Sequence, residues 1–153
     1  MRSLHPVLVA CTAAVLTLVV TGGPARPAVA WAQTDPVVQS DDGAGRLTVE
    51  QVLRLVRQGA VVLIDVRDAQ AFERSHLPGA ISVPLDKLAA RADDLRAIGK
   101  PIIVYCCGKG WGVDGERAMA TLRSLGVDDV RAIAGGFQRW VDVGFVVEVP
   151  PST

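Results

Sequence analysis

Apolar positions along this chain follow two rhythms, short unbroken runs and stripes spaced three or four apart, and the two alternate. Val61-Val62-Leu63-Ile64-Asp65, Ile102-Ile103-Val104-Tyr105 and Val130-Arg131-Ala132-Ile133 are runs of strand length, mostly β-branched. Such runs mark parallel strands buried on both faces. Ile81-Ser82-Val83-Pro84 is shorter, and Pro84 confines it to the edge or end of a sheet.

The stripes lie between the runs. Thr48-Val49-Glu50-Gln51 has the spacing of a capping box. It opens a helix with Val49, Val52, Leu53 and Val56 on one face, ended by Gly59. Asp68 is placed to cap a short helix through Arg74, before the turn Leu77-Pro78-Gly79-Ala80. Leu85 to Ala97 reads as a helix with Leu85, Leu88, Ala92 and Leu95 inward. A further helix opens at Asp114, carries Ala118, Leu122 and Leu125, and ends at Gly126. Gly135-Gly136 opens a last one bearing Phe137 and Trp140, which Gly144 stops. Strands alternating with helices predict an α/β domain, a parallel sheet with helices on both faces. Roughly 110 residues suffice to bury one such core.

The N-terminal segment breaks both rhythms. Arg2 precedes an uninterrupted, weakly polar run from Val7 to Val20, Gly22-Gly23-Pro24 interrupts it, and Ala28-Val29-Ala30 is a small-x-small pattern. This predicts a secretory signal peptide over 1–30, cleaved near Ala30 or Ala32. The run falls short of the roughly 20 residues a spanning helix needs, so no stable membrane association is expected after cleavage. The mature protein is expected in the periplasm or outside the cell. Residues 31–46 are polar and aperiodic and read as a flexible linker, leaving 47–149 as the domain.

Charge and cysteine content then narrow the chemistry. The chain has 16 basic and 16 acidic residues; Arg2 and Arg26 are the only charges before Trp31. That balance suggests no nucleic-acid partner. Of the three cysteines, Cys11 leaves with the signal, and Cys106 and Cys107 remain. Neighbouring Cα atoms lie about 3.8 Å apart, below the range of an ordinary disulfide. An exported protein without a structural disulfide but with a cysteine pair in a glycine-rich loop points to chemistry.

The pair sits where the apolar run Ile102-Ile103-Val104-Tyr105 gives way to Gly108-Lys109-Gly110-Trp111-Gly112 and then to a helix. A helix N-terminus and converging backbone N–H groups favour negative charge there, so the expectation is a thiolate held in an anion cradle. Gly108, Gly110 and Gly112 would admit the close backbone approach, and Cys107 would belong to the same substrate-binding loop. Lys109 is the loop's cation, either a partner for an anionic donor or a solvated charge. Trp111 is either a lid or packed on the neighbouring helix. Arg117 reads as a solvated helix face.

Asp65-Val66-Arg67, Phe72-Glu73-Arg74-Ser75-His76-Leu77-Pro78-Gly79-Ala80-Ile81, the approach to Cys106, and Gly135-Gly136-Phe137 with Trp140 resemble the signatures of rhodanese-like domains. The resemblance covers about Leu47 to Val147 and implies a five-stranded parallel sheet. It implies a sulfurtransferase in which Cys106 attacks a sulfane sulfur, from thiosulfate or a persulfide, and becomes a persulfide. A thiol acceptor, small molecule or protein, then removes that sulfur, and no cofactor or metal is required. Cys106 follows Tyr105 directly, the family position of the nucleophile; Cys107 is the alternate. Asp65 and Arg67 are signature positions, either a hydrogen-bonded structural pair or participants in the chemistry. His76 belongs to the turn and is not needed as a base.

The loop departs from the family's usual one in length, and no arginine occurs in it before Arg117. A phosphatase of the Cys-x5-Arg type would need arginine where Gly112 stands. A non-catalytic binding module remains the alternative, either serving a partner protein or holding a soft metal such as Cu(I) on the two sulfurs.

Overall fold

The computed structural model describes residues 45–108 and 113–150. In chain order the elements are β1 (Arg46–Leu47), α1 (Val49–Arg57), β2 (Val62–Asp65), α2 (Ala69–Arg74), β3 (Ile81–Ser82), two 3-10 turns (Leu85–Lys87 and Ala89–Arg91) and α3 (Ala92–Ala97). Then follow β4 (Ile102–Tyr105), α4 (Val113–Ser124), β5 (Val130–Ile133) and α5 (Gly136–Asp142). The strands form one five-stranded sheet in the order β1-β5-β4-β2-β3, parallel throughout. This is the α/β architecture that the alternating pattern and the resemblance predict.

Strand alternation divides the core. Leu63, Ile103, Tyr105 and Ile133 point to one face and pack with Val49, Val52, Leu55 and Trp140 from α1 and α5. Ile64, Ile102, Val104 and Ala132 point to the other and join Leu88, Leu95, Ala118, Met119 and Leu122. A step of one residue along a strand therefore exchanges one helical layer for the other. Cys106, one residue past β4, keeps the alternation and falls into the cluster with Ala118 and Met119.

Local signals in the sequence act as written. Thr48 Oγ1 accepts from the Gln51 N–H at 3.3 Å, and Gln51 Oε1 accepts from the Thr48 N–H at 2.7 Å, a complete capping box. Asp68 caps α2 through the Ala71 N–H at 2.8 Å. The edge strand before Pro84 is β3, paired with β2 only.

Three elements differ from the sequence reading. Arg46, assigned to the linker by its polarity, pairs with Ala132 in β1, and its guanidinium meets Glu116 of α4 at 2.8 Å. A two-residue strand is too short to show a period. The helix expected over Leu85–Ala97 is two 3-10 turns and one short α-helix, because Arg91 takes φ −103° and ψ 2° between them. Leu85 and Leu88 are spaced by three, which a 3-10 turn satisfies as well as an α-helix. Leu125, expected inward, is 37% exposed. Helix α4 ends at Ser124, and the Val127 N–H returns to the Leu122 carbonyl at 3.0 Å, so Met119 and Val127 fill the space instead. The signal-peptide reading over 1–30, its cleavage near Ala30 or Ala32, and most of the linker lie outside the described residues.

Candidate active site

The site lies at the C-terminal end of β4, in the middle of the sheet, where ligands of open α/β folds collect. Three pieces of backbone meet there. The Val66 N–H donates to the Tyr105 carbonyl at 3.0 Å and binds the exit of β2 to that of β4. The first turn of α5 turns its N–H groups on the cysteines: Phe137 donates to the Cys106 carbonyl at 2.8 Å and Gln138 to the Cys107 carbonyl at 3.2 Å. The Cys106–Gly108 backbone is thus clamped before the loop proper begins.

The clamp explains three glycines. Gly135 and Gly136 enter α5 with φ of 76° and 56°, a region that disfavours side chains. A Cβ on Gly136 would stand 2.4 Å from the Cys106 carbonyl oxygen, and one on Gly108 would stand 2.1 Å from that of Gly135. The backbones touch because no side chain separates them. The pair Gly135-Gly136 marks this contact in the sequence, but its function as a clamp on the cysteines becomes visible only in three dimensions.

Cys106 is 8% exposed, whereas Cys107 is exposed. Their sulfurs lie 3.7 Å apart, and both are free thiols. The Cys106 Sγ also lies 3.7 Å from Oδ2 of Asp114, in the first turn of α4. Asp114 Oδ1 faces Arg117 Nη1 at 3.5 Å. Burial pushes the Cys106 thiol up to about 12; the Cys107 thiol and the Asp114 charge push the same way, while a backbone hydrogen bond at Cys107 opposes them.

Among the described residues these surroundings push against the expected sign, while residues 109–112, which would complete the cradle, lie outside them. Proximity to a helix N-terminus suggested an easily formed thiolate. Among the described residues, the thiol instead faces the apolar layer of α4 and a carboxylate. Both features follow from strand phase and from the position of Asp114 within the helix, neither of which is apparent from the loop's composition. Lys109, Gly110, Trp111 and Gly112 lie outside the described residues.

Asp65 and Arg67 form a buried ion pair. Asp65 is fully buried, and Arg67 reaches it through Nη2–Oδ2 at 2.6 Å and through Nε at 3.0 Å to both oxygens. Arg67 Nη2 also donates to the Ser75 carbonyl at 2.7 Å, and its guanidinium covers the Phe137 ring at 4.0 Å. Because the Phe137 N–H holds the Cys106 carbonyl, this pair braces the clamp from behind. Tyr105 completes the brace: its hydroxyl accepts from the Leu77 N–H at 3.1 Å. Burial, reinforced by the Asp65 charge, raises its pKa.

His76 is engaged elsewhere, with Nδ1 at 2.9 Å from the Phe72 carbonyl and Nε2 at 3.2 Å from Glu148. Trp140 is core, its indole N–H donating to the Val146 carbonyl at 2.9 Å. Among the described residues no group of three or more His, Cys, Asp or Glu gathers in a metal-binding arrangement, and no helix is long and apolar enough to cross a membrane.

A glycine-clamped cysteine at the end of the central strand of a five-stranded parallel sheet defines a class of domain, and sequence comparison agrees. The profile of the Rhodanese-like domain matches residues 48–142, and the chain belongs to that family. It is 42% identical over 97 residues to the thiosulfate sulfurtransferase GlpE of Pseudomonas syringae pv. syringae, covering 62% of this chain and 85% of that one. The GlpE of Pseudomonas savastanoi pv. phaseolicola is 38% identical over 98 residues, with the same shares. Among solved structures, the rhodanese-like domain of the Anabaena sp. Alr3790 protein superposes with a TM-score of 0.61 at 25% identity, covering 71% of this chain and 86% of that one.

Proposed function

We propose that this protein moves sulfane sulfur from thiosulfate or a persulfide donor to a thiol acceptor through a persulfide on Cys106. The observation that carries the reading is the clamped Cys106, its carbonyl fixed by α5 at the C-terminal end of the central strand β4. The Cys106 thiolate attacks the outer sulfur of the donor, the donor's S–S bond breaks, and sulfite or a thiolate leaves with the bonding electrons. A thiolate acceptor then attacks the outer sulfur of the Cys106 persulfide and releases Cys106 as a thiolate. Splitting the transfer in two makes each step a simple displacement at sulfur. Cys107, exposed and one residue on, contributes to the substrate-binding side of the site.

Export is part of the proposal. It is supported by the apolar run Val7–Val20 and the Ala28-Val29-Ala30 pattern, with maturation near Ala30 or Ala32. Sulfur transfer from thiosulfate and from glutathione persulfide to dithiothreitol is the direct assay. Turnover with at least one donor, lost in Cys106→Ser and kept in Cys107→Ser, is expected. No turnover with either donor, or turnover that survives Cys106→Ser, would overturn the assignment.

A further inference from the structure

We infer that Cys107 is a resolving thiol: it attacks Cys106 Sγ in the Cys106 persulfide, so that the sulfane sulfur leaves as hydrosulfide and the two cysteines end as a vicinal disulfide. The inference rests on the sulfurtransferase reading and adds a second way out for the sulfur, one that needs no external acceptor.

The two sulfurs already neighbour each other. Cys107 Sγ lies 3.7 Å from Cys106 Sγ, and both thiols are free. Cys106 is buried and Cys107 exposed, so turning the Cys107 side chain closes the remaining gap without disturbing the core. The N–H groups of Phe137 and Gln138 hold the carbonyls of both residues, which fixes the backbone that carries the pair. An acceptor from solution has to reach an almost buried sulfur. Cys107 stands beside it at all times, and that proximity favours the intramolecular step.

The step balances within the site. The Cys107 thiolate, its proton given to solvent, attacks Cys106 Sγ. The bond from Cys106 Sγ to the outer sulfur breaks, and that sulfur leaves as hydrosulfide with the bonding electrons. The sulfane sulfur is reduced, the two cysteine sulfurs are oxidised to a disulfide, and no other oxidant takes part. Attack on the outer sulfur would instead need the attacking and leaving sulfurs in line across it, which the short span between adjacent residues prevents. Neighbouring Cα atoms lie about 3.8 Å apart, under the roughly 4.4–6.8 Å of ordinary disulfides, so the product is strained and readily reopened. Two equivalents of an external thiol, the acceptor class already named, leave as their own disulfide and reset the pair.

The full chain is loaded with thiosulfate and, separately, with glutathione persulfide, freed of excess donor by rapid gel filtration, and held under argon without added thiol. Argon removes oxygen as an oxidant, so a disulfide records electrons passed to the sulfane sulfur. Peptide mass spectrometry follows the cysteines while released sulfide is measured. One sulfur atom on Cys106 is expected first, giving way to a Cys106–Cys107 peptide lacking two hydrogens, with about one sulfide released per loaded chain. In Cys107→Ser the sulfur should stay on Cys106 about tenfold longer, without the matching release of sulfide. A persulfide as long-lived in the full chain as in Cys107→Ser, with neither disulfide nor sulfide, would overturn the resolving role and leave the sulfurtransferase reading standing. Sulfide released equally fast from Cys107→Ser would do the same. Finding no sulfur on Cys106, no disulfide and no sulfide with either donor would overturn both.

Discussion

Two clusters of polar groups sit at the C-terminal ends of the adjacent strands β2 and β4, and they are built on opposite terms. Asp65 and Arg67, at the exit of β2, are buried with every contact short: 2.6 Å across the ion pair and 2.7 Å from Arg67 to the Ser75 carbonyl. Cys106 and Asp114, at the exit of β4, have no contact shorter than 3.7 Å between them, and their arrangement opposes charge on the sulfur. Asp65 and Tyr105 are register partners, so the two clusters share one backbone frame. The first is satisfied in the resting protein and holds the frame. The second is joined by looser contacts, 3.7 Å between Cys106 and Asp114 and 3.5 Å between Asp114 and Arg117. Well-matched electrostatics mark the support, and poorly matched electrostatics fit the nucleophile proposed above.

Breaking the matched side should cost most. Arg67→Met leaves a fully buried carboxylate without its cation and is expected to destabilise the fold by about 3–5 kcal/mol, read from chemical denaturation. A loss under about 1 kcal/mol would show that solvent or another donor replaces the guanidinium.

The frame that joins the clusters comes next. Gly136→Ala places a Cβ against the Cys106 carbonyl at a positive φ. Gly144, also at positive φ, has open space where its Cβ would go, so Gly144→Ala reports backbone strain alone, roughly 1–3 kcal/mol. Gly136→Ala should exceed it and should also depress sulfur transfer, because it displaces the cysteine backbone. Equal effects of the two substitutions would remove the clamp from the account.

The reactive side is probed more gently by pH. Because burial and the Asp114 charge raise the Cys106 pKa to about 12, only a small thiolate fraction is present near neutrality. Its iodoacetamide alkylation, followed by peptide mass spectrometry, should climb about tenfold per pH unit from pH 7 to about 10. A plateau below pH 8 would mean that the free protein stabilises the thiolate after all. The smallest effect belongs to a position remote from both clusters: Thr48→Ala, which removes half the capping box, should cost about 1 kcal/mol and leave transfer unaffected.

Legibility in the sequence follows the range of the interactions. The runs at β2, β4 and β5 and the capping box at Thr48 are local patterns, and each appears where the residues place it. β1 was missed because two residues carry no periodicity; its pairing with β5 depends on a partner some 86 positions away. The Leu85–Ala97 segment has the right inward residues, but a spacing of three does not distinguish one helix from successive 3-10 turns. At the site, Cys106, Asp65 and Arg67 stand out in sequence. The Asp114 contact does not, because it depends on strand phase and on how α4 is set against the sheet. For the same reason a glycine-rich loop before a helix suggests an easily ionised thiol, while among the described residues that thiol meets apolar side chains and a carboxylate.

The central claim is that Cys106 carries the sulfur. The full chain is treated separately with thiosulfate and with glutathione persulfide, and the peptide containing Cys106 and Cys107 is analysed by mass spectrometry with fragment-ion localisation. The expected result is the gain of one sulfur atom on Cys106 from at least one donor, removed by dithiothreitol and absent in Cys106→Ser. Sulfur found only on Cys107, or on neither cysteine with both donors, would contradict it.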